Sequence, residues 1–199
     1  MTQGFDLVVA EGLLDAAVAK KLLQHLRVPG PEPQDLGGGT KFWAKVPNYN
    51  QAARSGRVIL GIVDLENADC APGLIVQRLP KGLEPTFVLR VAHRMIESWL
   101  LADRDAIAQF LRVSRDRIPS APESLAHPKR ELGNLALRSS KREIRETVAP
   151  EKGLSGPVGK EYTPMMKRFV EDHWDPSRAR QNSPSLDQAM LAILRATQS

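Results

Sequence analysis

Three acidic side chains follow apolar segments of the amino-terminal half, at the points where buried strands would end. Glu11 comes after the apolar run 5–10, and Asp64 and Glu66 come after the run 58–63. In an extended segment, residues two apart point to the same side, so the two acids of the second run would share a side. Ligands of open parallel sheets lie outside the carboxyl ends of the strands, and that edge is where all three acids would meet.

Oxygen ligands of this kind favour a hard divalent cation. Carboxylates that are held close together repel one another, and a bound cation is the simplest way to keep all of them ionised. We therefore expect Glu11, Asp64 and Glu66 to bind Mg²⁺ or Mn²⁺, with Asp69 in place of Glu66 if the loop folds back. The alternative is that each acid is a solvated strand-end residue, because Asp and Glu are mostly exposed in proteins.

A second charged set follows the apolar run 86–91. Arg90 lies in this run, and Glu97 comes four residues after His93 and three after Arg94, so these last three would share one helical face. Two-metal sites need oxygen ligands for a second ion ~3.5–4 Å from the first, and Glu97 is the candidate catalytic residue for that position. The three basic residues are candidates for phosphate binding or for stabilising a leaving group. Alternatively, Arg94 and Glu97 form an internal ion pair that fixes the helix to the sheet.

Basic side chains are concentrated between residues 129 and 145. Lys129 follows Pro128, which suits the first position of a helix, and it is the candidate for phosphate contact in this region. The window contains six Lys or Arg against two Glu. Such groups provide affinity for nucleic acid without sequence information; the alternative is a solvated basic surface.

The elements that would position these side chains alternate between strand and helix. Apolar runs at 5–10, 58–63 and 86–91 predict buried strands, and the Pro- and Gly-rich segment 28–39 leaves room for a further short strand. Helical spacing of apolar residues begins at Leu13. Further helices are predicted over these ranges: 43–53, 71–78, 95–100, 107–111, 128–137, 161–174 and 184–195, with Asp103 as the cap of the helix at 107–111.

This order predicts an α/β fold in which a small parallel Rossmann-like sheet is flanked by helices and followed by a helical carboxy-terminal extension. The predicted boundary divides residues 1–105 from residues 106–199, and one compact unit over 1–199 is an equal alternative.

Composition sets limits on partners and location. The net charge of +5 arises entirely after residue 80, because residues 1–80 carry eight basic and eight acidic side chains, so an acidic partner would meet the carboxy-terminal half. Cys70 is the only cysteine, which excludes an internal disulfide and an all-cysteine zinc site. No apolar run approaches the ~20 residues of a transmembrane helix, and the start lacks the pattern of a secretory signal. We expect a cytoplasmic protein with no membrane partner.

The sequence resembles the Toprim fold at Val9-Ala-Glu11-Gly12 and at Val63-Asp64-Leu-Glu66. That fold is shared by type IA and type II topoisomerases, DnaG-type primases, RecR recombination proteins and OLD-family nucleases. More narrowly, the chain resembles the Toprim-like bacterial proteins grouped as domain of unknown function 4276. The stretches that carry this narrower resemblance are Arg90–Asp103, His127–Lys129, Phe169–Pro176 and Ser183–Leu186.

The resemblance implies a role for each acid. In Toprim proteins the first glutamate is an acid or base in phosphodiester chemistry, a role that would fall to Glu11, and an Asp-x-Asp pair holds Mg²⁺, as Asp64 and Glu66 would here. The second acid of the pair is a glutamate in this chain, one methylene longer than the aspartate of the family. Tyr49 and Tyr162 lie in positions that do not suit strand passage, so topoisomerase activity is not expected.

Two functions follow as hypotheses. The first is a Mg²⁺-dependent nuclease that cleaves phosphodiester bonds in nucleic acid. The second is a non-catalytic Toprim-like module that binds nucleic acid or a protein, within a defence or mobile-element system in which a partner ATPase supplies the motor. The sequence contains no Walker loop, since Gly37-Gly-Gly-Thr40-Lys41 lacks its spacing.

Overall fold

The structure is a computed structural model that describes residues 4–151 and 156–198. It contains a sheet of four parallel strands in the order β2-β1-β3-β4. The strands are β1 (Leu7–Ala10), β2 (Gln34–Asp35), β3 (Ile59–Asp64) and β4 (Phe87–Ala92). The predicted α/β class with a parallel sheet is confirmed, and β2 is the short strand for which the Pro- and Gly-rich segment left room.

Eight helices of the described residues fall close to predicted ranges, and two short ones were not predicted. The helices are α1 (Leu13–Leu26), α2 (Gly39–Arg54), α3 (Ala71–Arg78), α4 (Glu97–Ala102), α5 (Arg104–Leu111), α6 (Pro128–Leu137), α7 (Arg142–Thr147), α8 (Tyr162–Asp172), α9 (Pro176–Ala179) and α10 (Pro184–Ala196), of which α7 and α9 were not predicted. The helical carboxy-terminal region is confirmed. Within residues 4–151 and 156–198, no helix combines the length and the hydrophobicity that crossing a membrane requires.

The chain forms two compact units. The first, here called the sheet unit, comprises Met1–His93 and Ser185–Ser199, and the second, the helical unit, comprises Arg94–Pro184. The predicted boundary near residue 105 stays a prediction, because a compact unit need not be a segment that folds alone.

Alternation along the strands gives the sheet two buried faces. One face packs on α2 and α3 through a core in which Phe42 and Leu74 meet Val63 and Phe87. On β1 and β3 the intervening residues are fully buried as well, as expected of a parallel sheet that is covered on both sides. A Cβ on Gly61 would lie 3.0 Å from the Phe87 ring and 3.4 Å from the Phe42 ring, so this glycine makes room for the aromatic core.

Helix α10 returns to the sheet unit and lies alongside β4. At its start, Ser185 Oγ accepts a hydrogen bond of 3.3 Å from the backbone N–H of His93, just beyond the carboxyl end of β4. Its last turn lines a cavity with Val58 and Thr86, at the amino ends of β3 and β4. The helix therefore runs antiparallel to β4.

The helical unit has its own buried polar anchors. Asp103 is the N-cap of α5, as its position before the helical pattern suggests. Its carboxylate also receives two hydrogen bonds from the guanidinium of Arg178, at 3.0 and 2.8 Å. Trp99 is fully buried, and its carbonyl accepts a hydrogen bond from the indole N–H of Trp174. These contacts fix α4 and α9 to each other.

Candidate functional site

The strand order places a ligand crevice at the carboxyl ends of β1 and β3. From β1 the chain moves outward to β2, and it then crosses back over β1 to β3 and β4. The adjacent strands β1 and β3 therefore lie at the point where the winding reverses, which is where open parallel sheets bind ligands. Glu11 directly follows β1, and Asp64 is the last residue of β3.

The carboxylate of Glu11 lies across the end of β3. Its Oε2 accepts a hydrogen bond of 3.2 Å from the backbone N–H of Asp64. The backbone of Glu11 is fixed on both sides, because its N–H donates to the carbonyl of Ile62 at 3.0 Å and its carbonyl accepts from the N–H of Gly38 at 2.8 Å. Two of the three predicted acids therefore meet at the strand ends.

A glycine run brings the start of α2 against Glu11. Gly37 and Gly38 have φ values of 73° and 112°, which side chains other than glycine rarely adopt. A Cβ on Gly39, the first residue of α2, would lie 3.2 Å from Glu11 Oε1. This run, which in the sequence was only the end of a Pro- and Gly-rich segment, allows the amino terminus of α2 to approach the carboxylate.

Glu66 lies in a tight turn rather than in an extended continuation of β3. The N–H of Ala68 donates to the carbonyl of Leu65 at 3.1 Å, which closes the turn. Glu66 has a φ of 51°, an uncommon conformation for a residue other than glycine, and its side chain is exposed. The argument that residues 64 and 66 share a side because the chain is extended therefore does not apply.

Asp64 and Glu66 nevertheless line one cavity of about 620 Å³. The start of α2 contributes Gly39, Thr40 and Trp43 to its walls, and the other lining residues are Ala44, Leu65, Asn67, Ala68, Leu74, Gln77 and Arg78. The guanidinium of Arg78 lies over the Trp43 ring, 5.3 Å from the ring centroid. Carboxylates, a cation and an aromatic ring therefore line the same space.

The donor chemistry of this edge suits Mg²⁺, although the acids do not form a closed cage. Among the described residues, no group of three or more His, Cys, Asp or Glu side chains is placed to hold a metal ion. Mg²⁺ is usually bound through one or two carboxylates, with waters and substrate phosphates as the other ligands. Asp64, with Glu11 at its backbone and Glu66 on the same cavity, provides oxygen donors of that type.

The three basic residues of β4 and of the segment after it have different surroundings. Arg90 lines another cavity of the sheet unit, with residues from the amino ends of β3 and β4. His93 is half-buried and is held through its backbone N–H by Ser185. Arg94 belongs to the helical unit, where its φ of 62° places it in the left-handed region. Phosphate binding by these three residues stays a prediction.

Glu97 and Lys129 are neighbours inside the helical unit. Glu97 is 3% exposed, and its Oε1 accepts a hydrogen bond of 3.0 Å from the hydroxyl of Tyr162. Lys129 Nζ lies 3.9 Å from the same oxygen and 5.2 Å from the centre of the Tyr162 ring. Burial raises the pKa of Glu97, and the positive charge of Lys129 partly offsets that effect. Glu97 thus faces Lys129, whereas the sequence had suggested Arg94 as its partner. The role of Glu97 at a second metal ion stays a prediction.

Sequence reasoning missed Trp43 and Arg78 as site residues. Each was assigned only to a predicted helix, and nothing in their spacing relates them, because 35 residues separate them in the chain. The available signal was that Trp43 lies only four residues after the last glycine of the run 37–39. Their approach depends on α2 and α3 packing on the same face of the sheet.

Comparison of the chain with protein-family models, with curated proteins and with solved structures found no match.

Proposed function

We propose that this protein is a divalent-metal-dependent phosphodiesterase that acts on nucleic acid, with its active site at the carboxyl ends of β1 and β3. The observation that carries the proposal is the hydrogen bond between the Glu11 carboxylate and the backbone of Asp64. It places two acids from separate strands at the position where a parallel sheet of this order binds ligands. The resemblance to Toprim proteins supplies the reaction class.

Asp64 and Glu66 would hold Mg²⁺ or Mn²⁺, and Asp69 is an alternative to Glu66. When bound, such an ion supplies Lewis-acid polarisation of a phosphoryl oxygen. The conformation of Glu66 supports a functional role, because backbone strain of this kind costs about 1–3 kcal/mol and clusters at active sites.

Glu11 is the candidate for proton transfer. Hydrolysis adds water across one P–O bond, and a carboxylate next to the attacking water takes up its proton. The hydrogen bond from the Asp64 N–H to Oε2 orients this carboxylate, and a Cβ on Gly39 would lie 3.2 Å from Oε1, so the absence of a side chain there leaves room for it. A general base needs that fixed orientation, since proton transfer requires hydrogen-bond reach.

Trp43 and Arg78 support a nucleic-acid substrate. Aromatic rings next to cationic groups bind bases by stacking, at about 1–3 kcal/mol per base. Both side chains line the cavity that contains Asp64 and Glu66, so a base stacked on Trp43 would lie in the same cavity as these acids. This arrangement favours an unpaired nucleotide, because a base inside a duplex has no free face for stacking.

The test is cleavage of plasmid, single-stranded DNA and RNA with Mg²⁺ or Mn²⁺ by the purified protein. We expect cleavage in the wild type and a loss of about 10²-fold or more in Glu11→Gln, the size of a general-base contribution. Asp64→Asn should lose at least as much. Glu32→Gln is the matched control, because Glu32 is an exposed carboxylate paired with Lys20 outside this site.

Two results would contradict the proposal. Cutting that persists in Asp64→Asn would come from a contaminating nuclease. Binding of nucleic acid by the wild type without cutting, with either ion, would favour the non-catalytic module and direct the search to a partner ATPase.

A further inference from the structure

The sheet unit contains a second cavity, at the opposite end of the strands from the acids. It has a volume of about 550 Å³ and lies between the amino ends of β3 and β4 and the last turn of α10. Its walls are largely apolar. The apolar residues that line it are Val58, Leu83, Pro85, Phe87, Val88, Leu89, Ala192 and Ala196.

The side chain of Arg90 enters this cavity without a compensating partner. Its Nε is buried and has no hydrogen-bond partner, and no carboxylate of the described residues forms an ion pair with its guanidinium. Burial lowers the pKa of Arg90 from its ordinary value. A guanidinium stays charged in proteins nonetheless, and a charge that is partly removed from water, as in half-buried Arg90, is stabilised by a charged partner. An anion in the cavity would supply the missing partner.

The other charged residues around the cavity also favour an anionic ligand. Arg195, from the last turn of α10, lines the same space and is exposed. The acid in the lining, Glu84, is already engaged, because its Oε1 accepts hydrogen bonds of 2.8 and 2.6 Å from the guanidinium of Arg54. The cavity is therefore positively charged and open to a ligand.

We propose that this cavity binds a small organic acid, in which a carboxylate pairs with Arg90 and Arg195 and an apolar body fills the space against Val88 and Ala192. A planar guanidinium matches a carboxylate in two parallel hydrogen bonds. Ligand pockets of this size typically combine apolar walls with a few polar groups that fix orientation. A free phosphate would leave the apolar walls without a partner. The inference does not depend on the proposed nuclease site.

Calorimetric titration with octanoate tests the proposal, with 1-octanol and inorganic phosphate as matched ligands that lack the charge or the apolar body. We expect the wild type to bind octanoate at least about tenfold more tightly than 1-octanol or phosphate, because one charge-assisted hydrogen bond contributes about that factor to affinity. Arg90→Met should weaken octanoate binding about tenfold or more. Arg195→Gln should weaken it less, because this side chain is exposed.

The controls separate a specific site from general attraction. Lys45→Gln removes an exposed positive charge of α2 that does not line the cavity and should leave octanoate binding unchanged, as should Asp64→Asn. Equal binding of octanoate and 1-octanol, or of octanoate and phosphate, would overturn the proposal. So would unchanged octanoate binding in Arg90→Met with a native circular dichroism spectrum. If that variant does not fold, unchanged binding in Arg195→Gln overturns it.

Discussion

At the scale of single residues, Glu66 has a backbone conformation that its residue type does not favour. Its φ of 51° suits glycine or asparagine, yet the position has a long acidic side chain on the cavity beside Asp64. If this position served only to form the turn, we would expect glycine, asparagine or aspartate there. The side chain is therefore the part of Glu66 that we expect to matter for function.

Replacing Glu66 should separate stability from activity. We expect Glu66→Gly to raise the free energy of unfolding by up to about 1 kcal/mol, because it relieves the left-handed strain at some cost in chain entropy. Glu66→Ala keeps the strain and should not gain this stability. Both variants should lose cleavage. Urea unfolding gives the first comparison, and equal stability of the two variants would contradict the strain argument.

Glu97 predicts a specific dependence of stability on pH. Because burial raises the pKa of Glu97 in the folded state, the folded protein binds more protons than the unfolded chain between the two pKa values. Stability is then lost as pH rises from the unfolded pKa through the folded one, by at most about 1.4 kcal/mol per pH unit for one proton. Below the unfolded pKa the stabilising effect is fully present.

The measurement compares Glu97→Gln with the wild type by urea unfolding across this range of pH. The variant cannot ionise, so its stability relative to the wild type should increase as pH rises. Glu161→Gln, which removes an exposed carboxylate of the same unit, should follow the wild type. A constant difference between Glu97→Gln and the wild type at all pH values would show that the acid does not titrate in this range.

At the scale of elements, the start of α2 decides how Glu11 is held. Gly39 has no positive φ, so alanine fits its backbone and should favour the helix by about 0.5–1 kcal/mol. The added methyl group would nevertheless lie 3.2 Å from Glu11 Oε1. The glycine is therefore explained by the carboxylate beside it and not by the helix.

We expect Gly39→Ala to keep or raise thermal stability and to lower the cleavage rate, because the methyl group displaces the Glu11 carboxylate. Gly73→Ala is the matched control, since its Cβ would approach Cys70 Sγ at the same 3.2 Å near the start of α3. This control should cleave as the wild type does. Equal rates in both variants would mean that the position of Glu11 is not critical.

At the scale of the whole molecule, charge is distributed unevenly along the chain. Residues 1–80 are neutral overall, and the net charge of +5 arises beyond them. Exposed cations of the helical unit, such as Arg130 and Lys141, are the candidates for sequence-independent contacts with phosphates.

Nucleic-acid binding should therefore weaken with salt in a way that depends on these residues. Each phosphate contact adds about −0.7 for single-stranded DNA, or about −0.9 for duplex DNA, to the slope of log affinity against log salt. The double variant Arg130→Gln, Lys141→Gln should bind more weakly, with a slope shallower by up to about two. Fluorescence anisotropy with labelled DNA measures both quantities. The double variant Lys45→Gln, Arg57→Gln serves as control, and a matching loss there would indicate general attraction only.

Local pattern determined the elements of this protein. Apolar runs bounded by turns placed β1, β3 and β4, and the ranges predicted for α3 and α6 are the ranges observed, because strand burial and helix starts are encoded by near neighbours in sequence. The same pattern placed Glu11 and Asp64 at strand ends. It did not show that Glu66 lies in a left-handed turn, which depends on backbone conformation rather than on residue type.

Tertiary structure decided which side chains share a space. Strand order brought Glu11 to the backbone of Asp64, and packing of α2 and α3 on one face brought Trp43 to Arg78. The return of α10 to β4 formed the cavity around Arg90, and folding of the helical unit enclosed Glu97 with Lys129 and Tyr162. None of these pairs is close in sequence, and burial of apolar faces, which is non-directional, brings each pair together only when the unit that contains it has folded.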